Sequence, residues 1–388
     1  MQGNPGSLAD IVIVGGGPVG ASLAAALDGG GLKVTVLEAR TTATAPDPRA
    51  IALSEGSRLI LERLGAWSTL AGRATPIATI HVSQRGGFGR AELEAHDCGV
   101  TSLGHVAEYG DLYAALAARL DAGEATVLRG ARVTGIETMA DSVRVRFERD
   151  HDEHEMSARM VVLSEGGKAL PANLRKDKDY GQSAVICTVR SERPHAGRAY
   201  ERFTPQGPIA LLPLSEDYAL VWTTPREQVE DRLGLDGAVF LQQLQAAFGD
   251  RQGRFLAAGP RAAFPLRLAL AAPTSNPRIL RIGNAAHVLH PVAGQGFNLG
   301  LRDAWKLAET LLDMPIDRLG ESRFVAFESA RRFDVTGGSL MTDLLVEAFA
   351  NGNPLMHHAR GAALTLMDLL PPLKTVFARK MMFGSQAW

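Results

Sequence analysis

The sequence predicts an α/β fold with two domains and a helical C-terminus, and three patterns indicate it. First, the apolar run Ile11–Val14 leads through three glycines into an Ala- and Leu-rich helix at residues 21–28. Second, strand-like runs dominate residues 181–270. Third, helical patterns fill most of the chain after residue 282. A chain of 388 residues is also too long for one ordinary core, so a second domain is expected.

The composition indicates a soluble globular protein and narrows its partners. Lys and Arg number 41 against 42 Asp and Glu, so the formal charge of -1 gives no reason to expect a nucleic acid partner. The cysteines, Cys98 and Cys187, form no CxxC pair, which predicts a reducing compartment, buried thiols, and neither a metal site nor a disulfide framework. The first ten residues contain no Lys or Arg and do not resemble a secretory signal, so a cytoplasmic location is expected.

The first βαβ unit carries a glycine motif. A strand at 10–14 runs into Gly15-x-Gly17-x-x-Gly20, with Pro18 inside the motif, and the helix at 21–28 leads to a strand at 33–38 that ends in Glu38. Such glycines let the backbone approach a pyrophosphate, whose charge then lies at the helix N-terminus. An acid at the end of the second strand accepts hydrogen bonds from ribose hydroxyls. The unit predicts a Rossmann-like dinucleotide site, and a glycine turn without a ligand is the alternative.

The remaining elements divide the chain between the domains. A helix is predicted at 57–64, strand-like stretches at 77–93, a helix at 111–120, and strands at 126–135, 142–148 and 161–163. Strands at 184–189, 209–214 and 218–223 with a helix at 238–248 predict an inserted α+β substrate domain, and a strand at 279–282 returns to the first domain. We assign 8–75, 98–180 and 271–330 to the dinucleotide-binding domain, 76–97 and 181–270 to the substrate-binding domain, and 331–388 to the helical C-terminal region.

A second glycine-rich loop precedes a predicted helix near residue 294. Gly294, Gly296 and Gly300 flank the expected helix start. N–H groups without intrahelical partners and the helix dipole stabilise negative charge at such a position. A reduced flavin ring would carry such a charge, and a purely structural turn is the alternative that the residues leave open.

Taken together, these segments resemble a known family. The glycine motif, Pro48–Leu53, Gly283–His287 and Leu301–Asp303 resemble the flavoprotein aromatic hydroxylases of the p-hydroxybenzoate hydroxylase type, which are group A flavoprotein monooxygenases. Within this family the chain is most similar to the ubiquinone-biosynthesis branch, above all through His290–Gly300 and also through the tail stretch Leu369–Lys374. The resemblance covers nearly the whole chain.

The resemblance implies FAD as the cofactor and assigns roles around it. Glu38 would hold the adenosine ribose, Arg49 would lie along the FAD, and Asn284 would bond the ribityl chain at a position where the family usually has an acid. Residues 291–296 would pass over the isoalloxazine ring. The implied cofactor-binding residues are Gly15, Gly17, Pro18, Gly20, Glu38, Arg49, Asn284, Gly294, Gly296, Phe297 and Asn298, and the candidate catalytic residues are His290 and Pro291.

The resemblance also implies a reaction. NADPH or NADH would be the transient reductant, O2 the co-substrate, and the aromatic ring of a polyprenyl phenol in ubiquinone biosynthesis the substrate. Relatives commonly have an Ala-Asp-Gly turn where this chain has Ser164-Glu165-Gly166, a departure that bears on reductant binding rather than on FAD. The alternatives are a hydroxylase of another aromatic metabolite and a non-catalytic flavoprotein of a biosynthetic complex.

Three further features each allow a functional and a structural interpretation. His287 is a candidate acid or base near the ring, with a structural hydrogen bond as the alternative. Leu211 and Pro213 are candidates for the substrate pocket wall, with core packing as the alternative. The apolar and basic stretch 361–384 fits peripheral contact at the inner membrane face, which would admit a polyprenyl chain, or else packing on the FAD-binding domain or a partner subunit. Other ubiquinone-biosynthesis proteins are further expected partners.

Overall fold

Helices and three β-sheets make up the part of the chain that the computed structural model describes, which is residues 8–41, 49–166, 174–272, 276–289, 294–319 and 354–384, with 324, 327 and 331. The helices are α1 (Pro18–Leu27), α2 (Glu55–Arg63), α3 (Trp67–Leu70), α4 (Tyr109–Asp121), α5 (Val229–Gly234), α6 (Gly237–Phe248), α7 (Gln295–Leu312), α8 (Pro354–Leu369) and α9 (Pro371–Phe383). The predicted α/β class is confirmed.

The strands follow the chain in this order: β1 (Ala9–Val14), β2 (Val34–Glu38), β3 (Ala50–Ser54), β4 (Thr75–Ile77), β5 (Thr79–Gln84), β6 (Arg90–Glu94), β7 (Gly104–Glu108), β8 (Thr126–Arg129), β9 (Arg132–Thr138), β10 (Val143–Arg149), β11 (Asp152–Leu163), β12 (Leu174–Ser191), β13 (Arg198–Thr204), β14 (Gly207–Leu214), β15 (Asp217–Pro225), β16 (Phe255–Ala258), β17 (Ala262–Ala271), β18 (Ile279–Arg281) and β19 (His287–Val288). A small sheet is formed by β3, β7 and β4.

The first large sheet contains the glycine motif. Its strands lie in the order β8, β2, β1, β11, β10, β9, and β18 also pairs with β11. β8, β2, β1, β11 and β18 are parallel, whereas β10 is antiparallel to both of its neighbours, β11 and β9. Ile11 and Ile13 of β1 pack with α1, α4 and α7, while Val12 and Val14 pack on the opposite face with β10. Both faces are therefore buried, which explains the continuous apolar run in β1.

The second large sheet has the order β19, β17, β12, β15, β14, β13, β5, β6, and β16 also pairs with β12. One face of it carries Leu211, Tyr218 and Tyr200, which pack against α6 through residues such as Phe240. Because neighbouring side chains alternate along a strand, the residues between them point to the other face. That other face forms part of a large cavity described below.

Three local differences from the predicted elements have physical causes. The single strand expected at 126–135 is two strands, because the chain turns at Gly130 with φ of 73°. The strand expected at 184–189 extends from Leu174 to Ser191, since its ends pair with β17 and β16. The tail at 361–384 is divided between α8 and α9, where Pro371 begins the second helix.

Candidate active site

The first glycine turn has space for a side chain or a ligand at Gly17 but none at Gly20. β1 ends at Val14, and Gly15 turns the chain with φ of 102°, a conformation that favours glycine. A Cβ at Gly17 would meet nothing within 4 Å, whereas a Cβ at Gly20 would overlap the carbonyl oxygen of Gly15. Gly17 and Pro18, the first residue of α1, both line the cavity. The turn therefore has room for a ligand at the N-terminus of α1, where anions are stabilised.

Ser164 supports this turn from the end of β11. Its Oγ lies within hydrogen-bonding distance of the carbonyl oxygens of Val14, at 3.0 Å, and Gly15, at 2.8 Å. A Cβ on Gly20 would lie 2.5 Å from the same Oγ, so the glycine leaves the space that the serine needs. The next residue, Glu165, lines the cavity, and burial together with the nearby charge of Glu38 raises its pKa. Ser164, where the family commonly has Ala, thus supports the glycine turn through its hydroxyl group.

Glu38 ends β2 beside the turn, with its carboxylate oriented by main-chain amides. The Gly16 N–H donates to Oε2 at 2.7 Å, and the Arg40 N–H donates to Oε1 at 2.9 Å. Arg40 Nε donates to the same Oε1 at 3.1 Å. The side chain is buried at the cavity edge. The structure therefore brings together the predicted pyrophosphate turn and the predicted ribose acceptor.

The second glycine loop is held in place by the amide of Asn298. Gly294 precedes α7, and Asn298 Nδ2 donates to the carbonyl oxygens of Gly294, at 2.7 Å, and Ala52, at 2.9 Å. Asn298 Oδ1 accepts from the Ser54 N–H at 2.8 Å and from the Ser57 hydroxyl at 2.7 Å. Both polar atoms of the side chain thus bond to protein groups. Asn298 fixes the loop against β3 and α2, and the main-chain N–H groups around Gly296 are what the loop can offer a ligand.

His287 belongs to a buried network under α7. Its Nε2 lies 2.7 Å from Asp303 Oδ2, which also accepts from the Gly283 N–H at 3.0 Å, and Arg331 pairs with the same carboxylate. Burial alone would raise the pKa of Asp303, but the charge of Arg331 and the bonds from His287 and Gly283 hold it below its usual range. The structure therefore favours the structural alternative for His287, as a partner of Asp303.

The other predicted residues lie around the same cavity. The Arg49 guanidinium carbon is 4.7 Å from the ring centroid of Tyr109 and 5.2 Å from that of Phe264, a cation–π arrangement. Asn284 is exposed in the short turn after β18 and lines the cavity, as Gly294, Gly296 and Phe297 do. The candidate catalytic residues His290 and Pro291 lie outside the described residues.

One cavity of about 1800 Å³ connects these groups with an apolar space. At one end are both glycine loops, Glu38 and Arg49. The other end, which we call the chamber, is walled by the second sheet and by α8 and α9. The chamber residues include Ile80 and Val82 of β5, Ala199, Glu201 and Phe203 of β13, Pro208, Ala210 and Leu212 of β14, Val221 and Thr223 of β15, Arg360, Leu364 and Met367 of α8, and Phe377 and Met381 of α9.

The glycine end fits FAD. An open position at Gly17, a buried acid at Glu38 and a helix N-terminus at Gly294 lie in one continuous space. This space exceeds the roughly 300–1,000 Å³ of an ordinary small-molecule pocket, so a dinucleotide and a second ligand can share it. Within the described residues, no group of three His, Cys, Asp or Glu side chains is arranged to hold a metal ion.

Comparison with known proteins agrees with this fit. Residues 8–333 match the family described as FAD binding domain. The chain belongs to this family. It is 33% identical to ubiquinone hydroxylase UbiL of Rhodospirillum rubrum, over 98% of this chain and 91% of that protein. It is 30% identical to 3-demethoxyubiquinol 3-hydroxylase of Escherichia coli, over 94% of this chain and 96% of that protein.

A solved structure shows the same fold. The p-nitrophenol 4-monooxygenase of Pseudomonas putida superposes with a TM-score of 0.80 and 18% sequence identity, over 98% of this chain and 99% of that chain. The family and the relatives identify the chain as an FAD-dependent monooxygenase, which confirms the predicted enzyme class. The predicted FAD-binding fold with a helical C-terminus is also confirmed.

The residues that line the chamber are not the two that the sequence suggested for its wall, Leu211 and Pro213. Leu211 and Pro213 are absent from the cavity lining, and Leu211 packs in the core under α6, so the packing alternative is the correct one. Their neighbours Ala210 and Leu212 face the cavity instead. The difference is one residue of register, because each step along a strand reverses the side-chain direction.

Sequence reasoning missed Glu201. It lies in β13 and faces the chamber, where burial raises its pKa to about 7. The signal was present in the strand's alternation, since Ala199, Glu201 and Phe203 share a face on which one residue is acidic. The sequence does not show that this face borders a cavity, because that depends on the packing of α8 and α9 opposite the sheet.

Proposed function

We propose that this monooxygenase hydroxylates the aromatic ring of a polyprenyl phenol in ubiquinone biosynthesis, using NADH or NADPH and O2. The observation that carries the proposal is the cavity, which joins the glycine end to an apolar chamber. Two relatives that align with nearly the full chain support the proposal, since one is a ubiquinone hydroxylase and the other a 3-demethoxyubiquinol 3-hydroxylase. These relatives also favour a catalytic protein over a non-catalytic flavoprotein.

The residues of the glycine end would hold FAD. Gly17 gives the pyrophosphate access to the N-terminus of α1, and Glu38 offers a carboxylate to the adenosine ribose. Arg49 and Asn284 line the same cavity, and N–H groups at the start of α7 would face the ring. FAD, when bound, supplies the oxygen-transfer chemistry, while the protein orients the two reactants and excludes water.

The chamber favours a prenylated phenol over a carboxylated one. A hydroxybenzoate needs a cation for its carboxylate, and Arg190, Arg202 and Arg267 are absent from the cavity lining. Arg190 and Arg267 are exposed and paired with acids, and Arg202 bonds to Ser83 on the face of the sheet away from the cavity. Arg360 of α8 does line the chamber, so the carboxylated phenol must be included in the test.

The activity assay compares two phenols. The FAD-loaded enzyme is incubated with NADH or NADPH, O2 and a short-chain prenylated methoxyphenol, and mass spectrometry measures addition of one oxygen atom. We expect the prenylated phenol to be hydroxylated and to stimulate reductant oxidation. If it yields only hydrogen peroxide while a hydroxybenzoate is hydroxylated efficiently, the enzyme acts on another aromatic metabolite.

A matched pair of glycine variants tests the FAD site. Gly17→Val places a side chain in the open space of the turn, so it should fold normally and lose bound flavin. Gly72→Val makes the same change at a position that also has no neighbour within 4 Å but lies outside the cavity lining. Flavin absorbance per protein is measured for both variants. Equal flavin content in the two would contradict the assignment of the turn.

We also propose peripheral membrane contact through the outer face of α8 and α9. This face exposes apolar side chains, Leu366, Leu369, Leu370, Leu373 and Val376, beside the exposed cations Arg379 and Lys380. The inner face of the same helices walls the chamber, so a lipid-soluble substrate would enter where the helices meet the lipid. No helix among the described residues has the length and apolarity to span a membrane.

A further inference from the structure

Glu201 is an acid among apolar neighbours on the sheet face that borders the chamber. The strand register pairs it with Val82 of β5 on one side and with Ala210 of β14 on the other. Side chains paired in this way lie about 5 Å apart. Along β13, Ala199 and Phe203 share its face. None of these four side chains offers a hydrogen-bond donor to the carboxylate.

The carboxylate also has no partner elsewhere in the described part of the chain, since it forms neither a hydrogen bond nor an ion pair there. Burial alone raises its pKa to about 7. Glu201 is half-buried at the cavity face, and an unpaired acid among apolar side chains costs folding free energy, so packing gives no reason for its presence. Such groups in a cavity are typical of functional sites.

No charged group on the elements packed around Glu201 shifts its pKa. The cavity-lining residues of β5 and β14 include no titratable side chain. From the elements packed over the sheet, Arg360 of α8 lines the chamber, and burial lowers its pKa. Arg49 lines the glycine end. Neither arginine contributes to the pKa of Glu201, which responds to burial only.

We propose that Glu201 is a catalytic residue that binds the phenol hydroxyl of the substrate and takes its proton. This assignment rests on the proposed function, because it requires a phenol in the chamber. The donor that the apolar sheet does not supply would then come from the substrate. The rest of the chamber lining would contact the ring and its apolar substituents.

The proton transfer balances within the pair. The phenol O–H bond breaks, its proton bonds to a carboxylate oxygen of Glu201, and the electron pair stays on the phenol oxygen, which makes the ring more nucleophilic toward oxygen transfer. The proton returns to the hydroxylated product. A base that titrates close to neutral pH suits this exchange, because both of its forms are populated.

The kinetic test uses Glu201→Gln, which keeps the size of the side chain and cannot take a proton, with Glu216→Gln in the exposed turn after β14 as the matched control. We expect the FAD-loaded Glu201→Gln enzyme to hydroxylate the prenylated methoxyphenol roughly 100- to 10,000-fold more slowly at neutral pH. Its rate should then rise about tenfold per pH unit as the phenol itself ionises. Wild type should instead show a limb near pH 7. Equal rates and equal pH profiles in wild type and Glu201→Gln would overturn the proposal.

A binding test separates this proposal from the substrate assignment, because it needs no turnover. The probe is a chromogenic nitrophenol, whose ionised form absorbs in the visible, bound to the oxidised FAD-loaded enzyme. In wild type the bound probe and Glu201 share protons, so its colour should titrate in two steps, whereas Glu201→Gln should show one step. A single identical step in both proteins, or no binding of the probe, would overturn the role of Glu201 even if a prenylated phenol is hydroxylated. Two steps without hydroxylation of that phenol would instead contradict only the proposed substrate.

Discussion

Replacing Glu201 by glutamine should remove a pH-dependent loss of folding stability. The carboxyl has an ordinary pKa of 4.5 in the unfolded chain and a pKa of about 7 in the folded protein, so the folded state holds its proton more tightly. Folding is therefore most favourable with respect to this group below about pH 4.5, and the advantage is lost as the pH rises to about 7. Above that pH the loss is complete.

The magnitude follows from the two pKa values. At about 1.4 kcal/mol per pH unit, the free energy of unfolding of wild type should fall by about 3 kcal/mol relative to Glu201→Gln across this range. Unfolding entropy of roughly 2.1 cal/mol/K per residue, over 388 residues, converts this to about 4 °C in melting temperature. Glutamine keeps the shape of the side chain and is neutral throughout, so it isolates the charge.

The assay is thermal unfolding of both proteins at saturating FAD, so that the stabilisation from ligand binding is the same in each. The difference in melting temperature should be close to zero near pH 4.5 and should grow until about pH 7, with the glutamine variant the more stable. A difference that stays constant with pH would show that the carboxyl is not desolvated in the folded protein. It would also remove the electrostatic basis for Glu201 as a base.

Three further predictions concern the turn, the buried network and the outer helices. Gly20→Ala should lower flavin content and melting temperature together, since its Cβ overlaps main-chain atoms of the turn. Asp303→Asn leaves the buried Arg331 without a counter-charge and should destabilise the protein by roughly 3–5 kcal/mol, measured by denaturant unfolding with FAD present. Leu369→Asp should reduce flotation of the FAD-loaded enzyme with anionic liposomes, while Leu256→Asp, also at an exposed leucine, should not; equal flotation would exclude α8 as the contact.

The glycine end could be predicted because its signals are local. The spacing from Gly15 to Gly20 and the position of Glu38 follow from the geometry of one βαβ unit, so a reader of the sequence can place them without knowing any long-range contact. The family resemblance extended this to the loop at Gly294. The domain boundaries remain a prediction.

The chamber could not be predicted in the same way, because it depends on contacts between distant segments. Whether Leu211 or Leu212 faces a ligand is decided by which side of the sheet α6 covers, and the alternation of the strand fits either choice. The support of the glycine turn by Ser164 joins residues about 150 positions apart, as the hydrogen bond to Val14 shows. The sequence showed this serine only as a departure from the family.

The division of the cavity between early and late parts of the chain has a consequence for synthesis. The described groups at the glycine end come from residues 15–40, 49, 164–166, 284–289 and 294–298, whereas the last chamber wall, α8 and α9, is made from residues 354–383. A nascent chain therefore completes the residues proposed to hold FAD before it can close the chamber. Given NADH or NADPH, a chain shortened before α8 should leave the glycine end beside an open, wet surface and release hydrogen peroxide instead of a hydroxylated product, so α8 and α9 would suppress this side reaction by excluding water.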